Sequence, residues 1–181
     1  MLATSAERIL DAASRCIATV GLRRVSMNDV AVAAGVSRAT VYNHFTDRDA
    51  LIEAVTARLA RAFVASSESE VARRRTLAAQ VGEAAVFIVT HSERGDDELL
   101  ATILSARSPH LVEAWVEFWD PYLGAAEVRG EVRPKLDRRR AGEWIVRLLL
   151  SFAVMPSASI DLTDPTAIRT FVRDHLVRGL D

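Results

Sequence analysis

The chain has 181 residues, enough to bury a sizeable core, and half of them are apolar, which is the balance of a globular protein. The formal net charge of −1 excludes a bulk electrostatic attraction to nucleic acid, and residues 1–50 hold six Arg against five acidic residues. A single cysteine, Cys16, excludes an intrachain disulfide. Any contact with a polyanion must therefore come from the local placement of charge.

Charged residues interrupt every apolar stretch near the N-terminus, and no run approaches the roughly 18 apolar residues of a membrane span. We therefore expect a cytoplasmic protein with no membrane contact. The four histidines lack metal-ligand spacing, and the chain has no glycine-rich phosphate loop, no Cys-x-x-Cys pair and no nucleophile with an evident base. We expect no metal, no cofactor and no catalytic residue.

Apolar residues recur with the period of an α-helix along nearly the whole chain. The first helix is predicted over 5–20, where Thr4 and Glu7 form a capping box at its start. Short helices follow, to about Ala34 and to about Asn43, and a longer one covers 47–72. Their predicted caps are Ser26 with Asp29, Ser37, and Thr46 with Asp49, while Gly21 and Gly35 end the first two helices.

Five further helices are predicted, near 76–92, 96–106, 108–127, 137–154 and 164–179. Pro121 lies inside the third of these, so we expect a kink or a break there. The predicted fold is all-α with about nine helices, an N-terminal three-helix helix-turn-helix domain and a C-terminal helical bundle. We place the first domain at 1–48, connected through the helix at 47–72, and the ligand-binding and dimerisation domain at 49–181.

The segment from Ser26 to Arg48 carries the most informative pattern. Its two short helices are too small to stand alone and need the first helix to pack on. Ala31 lets them approach, Gly35 permits the sharp turn, and Val41 faces the core, a spacing typical of a helix-turn-helix. Other residues predicted to share this core are Val30, Val36 and Phe45.

The outward side of the second short helix is polar but not acidic. No acidic residue occurs between Val30 and Thr46, whereas a merely solvated helix would normally carry Glu and Lys. The predicted exposed residues are Arg38, Ala39, Thr40, Tyr42, Asn43 and His44. Their hydroxyl, amide, imidazole and guanidinium groups are those that bond phosphate oxygens and base edges in DNA.

Three runs in this segment resemble the N-terminal domain of TetR-type (TetR/AcrR) regulators: Val25–Ala31, Gly35–Phe45 and Asp47–Leu51. The likeness covers roughly residues 5–55. The family pattern ends in Tyr-x-His/Tyr-Phe, a short polar step, a basic residue and an acidic-Ala-Leu start to the fourth helix. Arg48 departs from it, because the family usually has Lys there; a planar fork replaces a compact ammonium.

The resemblance implies contacts with double-stranded DNA. In the major groove would lie Arg38, Ala39, Thr40 and Asn43, with Arg38 as the candidate for a bidentate guanine contact. Phosphates would be held by Ser26, Ser37, Tyr42, His44 and Arg48, and Asn28 could reach the backbone or a base edge. The alternatives are that the serines are only caps, that Tyr42 belongs partly to the core, and that His44 is structural and Arg38 merely solvated.

The resemblance also implies a homodimer built from the last two long helices. Both are apolar over more than one stripe, as a helix packed on its own core and on a partner must be. The interface candidates are Trp144, Leu148, Phe152, Ile168, Phe171 and Val172. The alternative is a wider internal core.

Family members commonly bind a small molecule in the C-terminal bundle. Candidates for such a pocket are Phe87, His91, Trp115, Phe118, Trp119 and Tyr122, although aromatic residues at helical spacing also form ordinary cores. We therefore expect a repressor that binds a palindromic operator as a dimer and is released by an unknown small-molecule effector. The alternatives are a helical protein-interaction module that has lost DNA binding, and a helix-turn-helix-bearing enzyme.

Overall fold

The computed structural model describes residues 4–93 and 109–176, and within them all regular secondary structure is helical. The predicted all-α fold is confirmed. The helix predicted at 96–106 lies outside the described residues. The described helices are α1 (Ser5–Val20), α2 (Met27–Ala34), α3 (Arg38–His44), α4 (Arg48–Ala72), α5 (Leu77–Glu93), α6 (His110–Val128), α7 (Arg138–Val154) and α8 (Pro165–Phe171).

Side-chain caps begin the helices largely as predicted. Reciprocal capping boxes open α1 and α2, formed by Thr4 with Glu7 and by Ser26 with Asp29. The cap predicted for α4 is wrong, because Asp47 takes the place given to Thr46. The Asp47 carboxylate accepts the backbone N–H of Ala50 at 2.8 Å, while the Thr46 hydroxyl turns to Asp47 itself.

Two helices differ from their predicted course. Helix α6 is continuous through Pro121, where a kink or a break was predicted. Helix α8, predicted to reach residue 179, ends at Phe171 and continues as a π-helical turn, Val172–Leu176. Its start is as predicted: Asp164 caps it, and Pro165 occupies the first turn, where a missing N–H costs nothing.

The chain divides into two compact units, and the division falls within α4, between Ala60 and Arg61. The domain boundary predicted at residues 48–49 lies at the start of the same helix. The described part of the first unit holds α1–α3 and the beginning of α4. The second unit holds the rest of α4 and α5–α8, apart from His110. In the described parts of the chain, no helix is long and apolar enough to cross a membrane.

The second unit is organised around α5, which is buried over residues 80–85 and again at Ile88 and Val89. Helix α8 packs beside Gly82, where a Cβ would lie in ordinary contact, 3.5 Å from the Cα of Arg169. The neighbouring Glu83 is buried and pairs with Arg169 and Arg74. Burial opposes ionisation of Glu83, but the hydrogen bonds and charges of these arginines outweigh it and lower the pKa of the carboxyl.

Candidate nucleic-acid interface

Helices α1–α3 and the first turns of α4 enclose one apolar core. Val30 and Val41 are fully buried in it, as predicted, and Val36 and Phe45 pack against its edge. Val20, which the helical period of α1 places on the inner face with Ile9 and Ile17, is instead 43% exposed at the helix end. The other buried members of the core are Ile9, Ala12, Ala13, Ile17, Val25, Met27, Ala31, Ala34, Leu51 and Val55.

The turn between α2 and α3 depends on backbone geometry that glycine supplies. Gly35 has a φ of 64° in the left-handed region, where a side chain is strained. The chain then reverses so that the N–H of Val36 bonds the carbonyl of Ala31 at 3.0 Å. The Arg8 guanidinium reaches from α1 and donates to the carbonyl of Ala34 at 2.9 Å. These bonds fix the angle at which α3 leaves α2.

Helix α3 presents a polar, acid-free surface, which we call the recognition face: Arg38, Ala39, Thr40, Tyr42, Asn43 and His44. All are exposed except Thr40, which is half-buried. Tyr42 is 43% exposed, so its ring is not part of the core. Within the described residues, the side chains of Arg38, Tyr42 and Asn43 donate no hydrogen bond to the protein. Their polar groups are therefore available to a partner.

The hydroxyl groups near this face are partly used by the fold. Ser37 Oγ accepts the N–H of Thr40 at 3.0 Å, and the two hydroxyls lie 2.9 Å apart. Ser26 Oγ is 2.6 Å from the Asp29 carboxylate in its capping box. The capping roles of both serines are confirmed. Asn28, on α2, is exposed.

Arg48, predicted to hold a phosphate, also donates hydrogen bonds to the protein's own backbone. Its Nε donates to the carbonyl of Val25 at 2.9 Å, and its Nη2 donates to the carbonyl of Leu22. The planar guanidinium thus closes the loop between α1 and α2, and its side chain remains 38% exposed. A single ammonium could not span the two carbonyls with the same fixed geometry.

Two residues that the sequence prediction omitted, Arg23 and Arg24, lie exposed in the loop that Arg48 closes. They lie two and three residues before Ser26, the residue that caps α2, so their charges are close to the start of that helix in sequence. The adjacent pair of arginines was the available signal. Because the two arginines lie in a loop, the helical periodicity of the sequence does not assign them to any face.

The sequence profile described as "Bacterial regulatory proteins, tetR family" matches residues 9–55, the segment that forms this frame. An uncharacterized HTH-type transcriptional regulator of Mycobacterium tuberculosis is 29% identical over 168 residues, covering 84% of this chain and 76% of its own length. Residues 9–55 thus match the N-terminal domain of tetR-family regulators, and these relatives support a DNA-binding transcriptional regulator. The family is one of regulators rather than enzymes.

Solved structures share the fold of this regulator. One is the TetR family repressor AlkX from a Dietzia strain, with a TM-score of 0.67, 21% identity, and coverage of 98% of this chain and 95% of that one. Another is FadR from Bacillus subtilis in complex with stearoyl-CoA, with a TM-score of 0.56, 21% identity and coverage of 96% and 98%. The likeness extends over both units.

The residues predicted for a dimer interface separate into two groups in the regulator. Ile168 on α8 and Val172 in the π-helical turn that follows are buried within the protomer itself. The others, Trp144, Leu148, Phe152 and Phe171, line an apolar groove of about 330 Å³ beside α7 and α8. Trp144 is 46% exposed there.

The residues predicted for an effector pocket form two aromatic clusters. Phe87 and His91 stack with ring centroids 3.9 Å apart. Trp115 and Trp119 are fully buried on α6, with their rings nearly parallel and 6.1 Å apart. Phe118 and Tyr122 lie on the neighbouring side of α6 and line a groove of about 500 Å³. Burial, with a smaller contribution from Glu68, raises the pKa of Tyr122.

The residues 4–93 and 109–176 contain no group of three or more His, Cys, Asp or Glu side chains arranged to hold a metal ion. Cys16 packs at the edge of the first unit's core as a half-buried free thiol. Burial raises the pKa of this thiol, so the thiolate is disfavoured.

Arg48→Lys tests whether the guanidinium fork is structural. We expect the substitution to lower the free energy of unfolding by about 1–2 kcal/mol, because it keeps the charge but loses a charge-assisted bond to one of two carbonyls. Urea unfolding followed by circular dichroism measures this. The matched control is Arg24→Lys in the same loop, expected to change stability by less than about 0.5 kcal/mol. Unchanged stability in Arg48→Lys with weakened DNA binding would assign Arg48 to phosphate alone.

Proposed function

We propose that this regulator is a repressor that binds a palindromic operator as a homodimer and leaves it when a small molecule binds the second unit. The observation that carries the proposal is the recognition face of α3. It is polar, free of acidic residues and exposed, and it stands on a buried frame that fixes its direction. A protein-interaction module would have no reason to exclude carboxylates from such a face.

The DNA contacts in this proposal follow from where each side chain lies. Arg38 and Asn43 are exposed and carry the two planar polar groups of α3, which would bond base edges, guanine for the guanidinium and adenine for the amide. Ala39 can contribute only an apolar contact with a thymine methyl, and Thr40 a hydroxyl. Backbone phosphates would be held by Tyr42, His44, Ser26, Ser37, Asn28 and the exposed part of Arg48, with Arg23 and Arg24 added from the structure.

Arg38→Ala should weaken binding to the operator by roughly 5- to 150-fold, since a bidentate base contact is worth about 1–3 kcal/mol. Fluorescence anisotropy on DNA from the region next to the gene measures the loss. The slope of log affinity against log salt should change little, because a base contact releases few counterions. The control Arg140→Ala, on α7 in the second unit, should bind as the parent does. Equal binding by Arg38→Ala would favour an interaction module without DNA recognition.

Dimerisation is proposed on the groove beside α7 and α8. A single α3 makes few base contacts, whereas a two-fold dimer doubles them and reads half-sites about 34–36 Å apart. The groove exposes Trp144 and Met155, which are 46% and 63% accessible in the protomer. Exposed aromatic and Met side chains at the centre of an apolar patch are typical of an interface core. A second copy of the chain would cover them.

Trp144→Glu should raise the dimer dissociation constant at least roughly 30-fold, because an aromatic anchor is worth about 2 kcal/mol or more. Its half-exposed position means that the protomer's own core survives the change. Size-exclusion chromatography with light scattering, over a dilution series, measures the shift. Val128→Glu is the matched control, since Val128 is an apolar residue 89% exposed outside the groove. A dimer that resists Trp144→Glu would place the interface elsewhere.

The effector site is proposed around Trp115 and Trp119. Both indole rings are fully buried, yet neither Nε1 has a hydrogen-bond partner among the described residues. A buried unpaired donor costs about 1–3 kcal/mol, so an acceptor supplied by a ligand would be favoured there. The neighbouring side chains Phe118 and Tyr122 are aromatic. We therefore propose an apolar effector that carries a carbonyl or carboxylate acceptor.

Stearoyl-CoA is a suitable probe, because an acyl thioester joins an apolar chain to a carbonyl, and free coenzyme A is its control. In a Trp144→Phe background only the two buried tryptophans emit. We expect the acyl-CoA, but not coenzyme A, to change their fluorescence and to release the protein from operator DNA at the same concentrations. Trp119→Phe, which removes one donor but keeps most of the ring, should weaken both effects about tenfold. Release without a fluorescence change would place the effector outside this cluster.

A further inference from the structure

A notch in the second unit concentrates arginine side chains around one buried carboxylate. It has a volume of about 230 Å³ and lies between the start of α5 and α8. Its charged and hydroxyl-bearing walls are Arg74, Thr76, Glu83, Arg169 and Arg173. Neither the DNA-binding face nor the proposed dimer groove and effector cluster includes any of these residues.

Both carboxylate oxygens of Glu83 accept hydrogen bonds from two of the arginines. Its Oε2 accepts Nε of Arg169 at 3.1 Å and Nε of Arg74 at 3.1 Å, and its Oε1 accepts Nη2 of Arg169 at 3.0 Å. The carboxylate side chain is only 9% exposed, so the protein itself holds this centre together. Two positive charges therefore share one negative charge, which leaves an excess of positive charge beside the cavity.

Guanidinium donors remain after these bonds are counted. Within the described residues, the Nη1 groups of Arg74, Arg169 and Arg173 donate to no protein acceptor. Arg173 donates its Nε at 2.8 Å and its Nη2 at 3.5 Å to the Asp174 carboxylate, and Asp164 adds a weaker negative field near Arg169. Neither acidic group lines the notch. The cavity wall thus carries N–H donors that have no protein acceptor, together with positive charge that is not fully balanced.

Helix α8 packs against α5 at this notch. A Cβ built at Gly82 would make ordinary van der Waals contact with Arg169, and Arg169 pairs with Glu83 one residue along. Arg169 and Arg74 are 39% and 46% exposed, so the notch is open to solvent at its mouth while its floor is held by the buried carboxylate. A ligand could therefore enter without any rearrangement of the fold.

We propose that this notch is a binding site for a tetrahedral oxyanion, a phosphate either free or carried as a monoester on a metabolite. Guanidinium groups bind phosphate oxygens through paired, charge-assisted hydrogen bonds, and the Thr76 hydroxyl adds a neutral donor. The volume is below the roughly 300–1,000 Å³ of drug-sized ligand sites, so it suits one anionic group rather than a whole effector. Bound there, the anion would tie the start of α5 to α8.

Thermal unfolding of the full-length protein gives the first test. Inorganic phosphate, compared with chloride at equal ionic strength, should raise Tm by about 3–6 °C when present at about ten times its Kd. Glycerol 3-phosphate against glycerol distinguishes the sources, since tighter binding of the monoester indicates a phosphorylated metabolite and tighter binding of inorganic phosphate indicates the free ion. Acetate should give a smaller rise. No difference between phosphate and chloride would overturn the proposal.

Two variants with opposite expected effects separate a binding site from a merely structural cluster. Arg173→Ala leaves the Glu83 pairs intact and should weaken phosphate binding at least roughly tenfold by isothermal titration. Glu83→Gln removes the competing carboxylate and should tighten phosphate binding while lowering stability without phosphate. The control Arg140→Ala loses a comparable surface pair, with Asp137, and should bind phosphate like the parent.

If Glu83→Gln does not fold, Arg173→Ala and its control still decide the question. Unchanged phosphate affinity in Arg173→Ala, or weaker binding in a folded Glu83→Gln, would contradict the site. The measurement needs neither operator DNA nor an effector, so its failure is separate from any failure of the proposed repressor function.

Discussion

A helix of seven residues has no stability of its own in water, because too few hydrogen bonds follow its nucleation. Helix α3 therefore exists only as long as Val41 stays buried between α1, α2 and α4. The presentation of the recognition face depends on this constraint. The recognition face can be free of acidic and helix-stabilising residues because the opposite side of α3 holds the helix in place. The apolar contacts on that side take no part in binding DNA.

The same separation of tasks recurs in the caps and clamps. Ser26, Ser37 and Asp47 satisfy backbone amides at helix starts, and two arginines donate to backbone carbonyls. Arg8 and Arg48 each bridge segments distant in sequence. The first unit is thus held by directed polar bonds at its edges and by apolar packing within, which leaves the side chains of α3 uncommitted.

Sequence reasoning was most successful where local chemistry decides the structure. The capping boxes, the turn at Gly35 and the burial of Val41 follow from residues a few positions apart, and they define the frame and the exposed face together. It was less successful where a long side chain chooses between solvent and a distant carbonyl, as with Arg48, or between its own core and a partner, as with Ile168 and Val172. The cluster around Glu83 could not be foreseen, since it joins residues from three separate segments.

Arg48 is the first residue of α4, and its fork holds the loop that connects α1 to α2. The beginning of α4 and that loop are therefore joined by directional bonds as well as by apolar contact, and they form one mechanical element. A pull on the first turn of α4 must either break these bonds or carry the Leu22 and Val25 carbonyls along with it. The first turn of α4 and the loop between α1 and α2 are therefore expected to move together rather than independently.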